Sequence, residues 1–338
     1  METEDAMNKP APMLNRTRDQ RLPQALVAHD LQQVESILSK TLAPYQAQLG
    51  PLLQHLQNYR GKRLRPTLLL LIAHACGRQT KAHLTLAAVI EMIHTATLVH
   101  DDVLDEADTR RHIRTINAGW GNQTSILLGD LLFTSAFHLS STIGDARACE
   151  AIGAATNRVC AGEMTQSLNR GNLHLSEDEY FAIIEGKTAS LLECGCRLGA
   201  LYAGAEPDQI ERLAGYGRDL GIAFQIADDV LDLEGSERTA GKTLGTDLAQ
   251  RKLTLPLIYL LERVGPVEAK RFRDLLEQER VPTEEIREAL RETGALEDAR
   301  SRALAYAENA RTALSDLPPS PHRDMLEAIT GWAVRREE

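Results

Sequence analysis

Two short acidic stretches carry residues able to do chemistry: Asp101-Asp102-Val103-Leu104-Asp105 and Asp228-Asp229-Val230-Leu231-Asp232. In each, the first and last aspartates are four apart, so on a helix their carboxylates stack on one face. Carboxylates this close repel one another, so a chain that writes the cluster twice calls for a counter-ion. Hard oxygen ligands select Mg²⁺ or a similar ion, which completes its shell with water and substrate phosphates. Two acidic helix faces set opposite each other therefore imply a polyphosphate between them. A lone cluster reads equally well as a solvated helix face; two identical pentapeptides, each after an apolar helical run, argue against that.

Cations stand close to both clusters. Gly61-Lys62-Arg63-Leu64-Arg65-Pro66 packs three around an expected helix start, Arg110-Arg111 follows the first cluster, and Lys187-Thr188, Lys242 and Lys252 come later. A lysine offers a point charge and an arginine a planar fork, and together they hold phosphate groups without metal. An acidic chain that keeps its cations beside its aspartates is built for anionic ligands, and the arrangement requires two anionic sites.

The elements that must position these groups are helices. Leu26, Leu31, Val34, Ile37, Leu38 and Leu42 recur at helical spacing until Pro44 interrupts them. Ser176-Glu177-Asp178-Glu179 has the form of a capping box, Pro207 fits a first helical turn, and Pro282 opens a helix that stops near Gly294. Sustained strand alternation is nowhere visible, and aromatics are only 4%, so the core is Leu, Ala, Ile and Val. The expected fold is all-α, a single-domain helical bundle, since 338 residues contain no internal linker. Residues 1–22 read as a mobile tail and 23–338 as the domain. Glycines from Gly235 to Gly245 mark a loop able to close over a ligand.

A net charge of −10 argues against a nucleic-acid surface. Five cysteines without a CxxC pair are read as reduced core residues. No apolar run approaches the ~18 residues of a membrane span, and the acidic N-terminus is unlike a targeting peptide. The expectation is a cytoplasmic protein.

Read together, these residues resemble a trans-isoprenyl diphosphate synthase of the polyprenyl synthetase family, over about 60–256. GKRLRP (61–66), EMIHTATLVHDDVLDEADTRR (91–111), LGDLL (128–132), GKT (186–188), FQIADDVLD (224–232) and GKTLGTDLAQRKLTLP (241–256) carry the likeness. The resemblance implies a helical fold around a central cavity, a homodimer and Mg²⁺. It implies that Asp101, Asp105 and Asp228 hold the metal, with Asp102, Asp229 and Asp232 completing the catalytic set. Arg110, Lys187, Thr188, Gln225, Lys242 and Lys252 would surround the allylic diphosphate. Lys62, Arg65, His94 and Arg111 would bind isopentenyl diphosphate. Three positions depart from the family pattern: Arg60 and His112 replace expected glycines, and Gln250-Arg251 stands where glycine commonly flanks the lysine.

Product length follows from the wall behind the first cluster. A bulky aromatic four or five residues before Asp101 resembles a short-product floor; Thr97 and Ala96, with Ile93 beyond, leave the tunnel open, and Phe133 or Phe137 is a candidate deeper floor. A product longer than geranylgeranyl diphosphate is expected, with short-chain synthesis the alternative. A di-iron bundle would need Glu91-x-x-His94 twice, and it occurs once. A silent subunit of a heteromeric synthase would be expected to have lost aspartates or cations. A terpene cyclase would lack the second diphosphate site.

Overall fold

Pro44 has no amide hydrogen to give a helix, and the chain breaks there: α1 (Ala28–Leu42) passes through one 3-10 turn, Ala43–Tyr45, into α2 (Gln46–Leu56). The computed structural model describes residues 24–59, 61–110, 113–234, 245–278 and 280–335. The expected tail at 1–22 and most of the glycine loop, 235–244, lie outside them.

Two apolar helices form the centre, α3 (Leu64–Ala75) and α4 (Lys81–Leu104). Thr80 caps α4 through a box in which His83 replaces the usual acid: the Thr80 amide donates to His83 Nδ1 at 2.9 Å. A two-residue antiparallel ribbon, Thr109–Arg110 against Ile113–Arg114, is the only β structure among the described residues. Then come α5 (Ile116–Trp120), α6 (Asn122–Ser141), α7 (Ala146–Leu168) and α8 (Glu177–Ile184). The Ser176 capping box opens α8 as expected. A single wide π turn, Glu185–Ala189, joins it to α9 (Ser190–Ala203), and α10 (Pro207–Glu234) starts on its proline. The chain ends with α11 (Thr246–Ala249), α12 (Leu255–Arg263), α13 (Pro266–Leu276), α14 (Thr283–Glu292), α15 (Ala295–Thr312) and α16 (Pro321–Arg335).

The apolar side chains form two cores, and α10 belongs to both. Its Leu213, Tyr216 and Leu220 join the core around α3, α4 and α9, whereas Ile222, Ile226, Val230 and Leu233 join the one built from α12 to α15. Each such fully buried aliphatic contributes about 1.5–3 kcal/mol relative to exposure. Gly217 and Gly221 let α10 lie against the chain before it: a Cβ at Gly221 would stand 2.6 Å from the Ala189 Cα.

Two expectations need correction. Lys81–Leu104 is long and apolar enough to cross a membrane, with mean hydropathy 1.4, but 67% of its apolar window is buried within the protein, as a core helix surrounded by other helices must be. Cys160 is exposed on α7 rather than in the core, although all five thiols are unpaired and burial pushes Cys194 up to about 12.

Candidate active site

The first cluster occupies the last turn of α4 and the second the last turns of α10. Their middle aspartates face inward. Asp102 is fully buried, accepting from the Tyr59 hydroxyl at 2.6 Å and from Arg110 Nε at 2.8 Å. Asp229 repeats the arrangement, with the Tyr180 hydroxyl at 2.6 Å and Gln225 Nε2 at 2.8 Å. Asp102 and Asp229 therefore point away from the aspartates just before them, because helical geometry turns adjacent residues about 100° apart. Burial, and then the nearby Asp247, raises the Asp229 carboxyl well above its ordinary range. Asp232 is also buried and accepts from the Asp247 amide at 3.1 Å, so it tethers the returning chain.

The wide turn links the clusters. Lys187 Nζ lies 2.8 Å from Glu163 and 2.9 Å from Gln166 on α7. Burial opposes its charge, but Asp101, Glu163 and Asp105 outweigh that and raise its pKa. The adjacent Thr188 hydroxyl donates to Gln225 Oε1 at 2.9 Å, and Gln225 in turn holds Asp229. Two glycines make this possible: a Cβ at Gly162 would sit 2.5 Å from the Lys187 amide nitrogen, and one at Gly186 2.9 Å from the Arg158 carbonyl oxygen. A π turn widens the backbone and re-aims side chains, which is how Lys187 and Thr188 face different helices.

Burial pushes the Asp101 carboxyl up to about 7; Lys187 pulls the other way, while Glu163 and Asp105 add to the rise. At the outer edge, Asp105 is paired with Arg170 and lies 3.6 Å from Lys252 Nζ. Arg170 was not foreseen, since a lone arginine in a polar loop has no motif around it. Tyr59 and Tyr180 were missed because their aspartate partners lie 43 and 49 residues away in the chain.

Beside the residues expected to bind a second diphosphate, Arg63 takes a left-handed backbone (φ 48°) and spends its charge on Glu35 at 2.7 Å and Glu91 at 2.5 Å. That pairing gives Glu91 a structural partner in place of the iron of the rival reading. Arg65 Nη1 meets His94 Nε2 at 3.0 Å, and its buried Nε has no protein partner; burial lowers its pKa. Lys62 is exposed and lies over the Trp332 ring at 4.8 Å. Arg111 and Lys242 lie outside the described residues.

Along the expected tunnel wall, Ile93 and Ala96 are fully buried, the Thr97 hydroxyl donates to the His94 carbonyl at 2.8 Å, and half-buried Phe133 tilts against His100. Phe137 is exposed. A cavity of about 120 Å³ does open beside α4, but on the face of Met92 and Thr95, towards Leu38, Leu42, Leu53 and Leu132; Tyr59, which holds Asp102, lines it, and Ile93, Ala96 and Thr97 do not.

Among the described residues no three His, Cys, Asp or Glu side chains converge on one point. Lys187, Arg170 and Lys252 instead stand against the aspartates. The donor set nevertheless fits a hard cation: Asp101 and Asp105 stand one helical turn apart at the end of α4, and Asp228 lies near the end of α10, all oxygen donors of the kind such a cation takes.

The polyprenyl synthetase family model matches residues 46–293. Octaprenyl diphosphate synthase of Escherichia coli (strain K12) is 38% identical over 314 residues, covering 92% of this chain and 97% of that protein. The structure of a decaprenyl diphosphate synthase from Rhodobacter capsulatus superposes with a TM-score of 0.88 at 36% identity, covering 94% of this chain and 98% of that one. A polyprenyl synthase from Caulobacter crescentus CB15, complexed with calcium and isoprenyl diphosphate, gives 0.87 at 36% identity, covering 94% and 97%. With its all-α fold and paired aspartate clusters, this chain belongs to the polyprenyl synthetase family, prenyltransferases that act on prenyl diphosphates with a divalent metal.

Proposed function

We propose that this chain condenses isopentenyl diphosphate with an allylic prenyl diphosphate, using Mg²⁺, to make a long-chain all-trans-polyprenyl diphosphate. The observation that carries the reading is the Lys187–Thr188 turn: the charges of Asp101 and Asp105 in the first cluster act on Lys187, while Thr188 holds Gln225, which donates to Asp229 of the second. The octaprenyl and decaprenyl relatives support a long product over farnesyl or geranylgeranyl diphosphate, as do the small side chains at Ala96 and Thr97.

Asp101, Asp105 and Asp228 would hold Mg²⁺, which when bound neutralises a departing diphosphate so that the allylic C–O bond ionises. Lys187, Thr188, Gln225, Arg110, Lys242 and Lys252 orient and neutralise the same group. Lys62, Arg65, His94 and Arg111 bind the second diphosphate and bring its alkene to the allylic carbon. Asp102, Asp229 and Asp232 keep the clusters in place. The alkene electrons form the new C–C bond, and the proton then lost goes to the released diphosphate, so no side chain serves as general base.

The exposed Ile126, Leu127 and Phe137 of α6, with Met164 and Leu168 of α7, support a homodimer through these helices. Unpaired cysteines suit a cytoplasmic enzyme. Incubating the protein with Mg²⁺, farnesyl diphosphate and labelled isopentenyl diphosphate tests the reading: chromatography should show products longer than geranylgeranyl diphosphate, and none extended without isopentenyl diphosphate. Diphosphate release from the allylic substrate alone, with no extended product, would indicate a cyclase, and inactivity would indicate a silent subunit.

A further inference from the structure

The connection between α7 and α8 carries a cation outside every motif. Arg170 pairs through Nη2 with Asp105 Oδ1, and its Nη1 lies 3.3 Å from the Leu104 carbonyl oxygen. Lys252 approaches the same Oδ1 at 3.6 Å from the segment that follows α11. One carboxylate at the outer edge of the cluster thus faces two cations.

The two cations are mechanically joined. The Gly171 amide donates to the Arg251 carbonyl at 2.9 Å, next to Arg170 on one side and Lys252 on the other. Both residues of the junction have left-handed backbones, Gly171 at φ 78° and Arg251 at φ 53°. Glycine adopts that conformation freely, but a side-chain-bearing residue resists it. Arg251 is kept there by its amide to the Leu248 carbonyl at 3.1 Å and by Nη2 to the Glu277 carbonyl at 3.4 Å. A junction held against its own backbone preference fixes where Arg170 and Lys252 stand.

We propose that Arg170 and Lys252 form one paired-cation clamp, which restrains Asp105 in the ligand-free enzyme and grips the allylic diphosphate once Asp105 turns to a divalent cation. This rests on the metal-holding role proposed above for Asp101 and Asp105. Removing the Arg170 charge then has effects of opposite sign: it frees Asp105 for the cation and weakens the hold on the diphosphate.

The test is calorimetry on the full chain, wild type against Arg170→Gln, titrating Mg²⁺ alone and then farnesyl diphosphate at saturating Mg²⁺. The expected result is tighter Mg²⁺ binding, farnesyl diphosphate binding weakened about ten-fold, and an unchanged melting temperature, since the pair is partly exposed. Arg170→Lys should recover most of the lost diphosphate affinity. Unchanged farnesyl diphosphate affinity, no gain in Mg²⁺ affinity, or a lowered melting temperature with both affinities reduced would overturn the clamp. Asp101→Asn is the separate control: if it binds Mg²⁺ as well as wild type, the aspartate assignment itself fails, whatever Arg170→Gln does.

Discussion

Tyr180 donates its hydroxyl hydrogen to Asp229 across 2.6 Å, joining the first turn of α8 to the acidic end of α10. Tyr59 does the same for Asp102 at the other cluster. Replacing either tyrosine with phenylalanine leaves a buried carboxylate one donor short, at a cost of about 1–3 kcal/mol. Urea unfolding should show losses of that size for Tyr59→Phe and Tyr180→Phe; unchanged midpoints and slopes would mean that the hydroxyls hold nothing.

Asp101 should behave in the opposite way. Asn in its place removes a half-buried charge that desolvation disfavours, so the melting temperature should hold or rise. Prenyl transfer should nevertheless fall by about 10²–10³-fold, the scale of losing a main electrostatic contact to the reacting group. Thermal melts and kcat on the same preparation check both parts, and a parallel fall in each would make Asp101 a folding residue.

Gly186→Ala forces a Cβ to within 2.9 Å of the Arg158 carbonyl oxygen, so α7 and the wide turn must separate. A loss of about 1–3 kcal/mol is expected from such overpacking, together with reduced activity as Lys187 shifts. Gly153→Ala, on α7 with open space at its Cβ, is the matched control. It should be neutral or stabilising in the same denaturant titration.

Ala96→Phe should shorten the product. Ala96 is fully buried one helical turn before the first cluster, and a phenyl ring there would close the way along α4. Chromatography of products from farnesyl diphosphate gives the answer, and an unchanged chain length would remove Ala96 from the wall.

Acid should loosen the junction of α1, α3 and α16. His322 stacks on His74 at 4.7 Å, and His74 Nε2 lies 2.7 Å from Asp30. Burial, and then His74, lowers the His322 pKa, with Asp30 acting against them. The unfolded chain therefore binds the extra proton first, so this contribution is present at neutral pH, begins to fall near the ordinary histidine value of 6.5 and is lost as pH drops through the lowered folded-state value. Melting temperatures at about pH 7.5 and 5.5 should differ more for wild type than for His322→Gln; equal differences would clear His322 of the effect.

Much of this was legible in the residues. The repeated pentapeptide, Pro44, Ser176 and Pro207 act locally, through spacing, a missing amide or a capping hydroxyl, and local signals survive in a linear sequence. Asp102 and Asp229 were grouped with their neighbours because motif spacing says which residues lie near each other, not which are turned inward. Arg63 looked like a phosphate ligand until Glu35 and Glu91, both distant in sequence, were seen to take its charge. Tyr59 meets Asp102 over a separation of 43 residues, and no period or motif encodes that distance. Arg251 falls where glycine was expected, and its left-handed backbone shows why.

The wide turn at Glu185–Ala189 inserts a phase shift into what would otherwise be one continuous rod from Glu177 to Ala203. Upstream and downstream residues are thereby rotated by about one residue's worth of helical angle. Deleting a single residue there would keep both segments helical yet point them at the wrong neighbours. At this place the number of residues matters more than their identity.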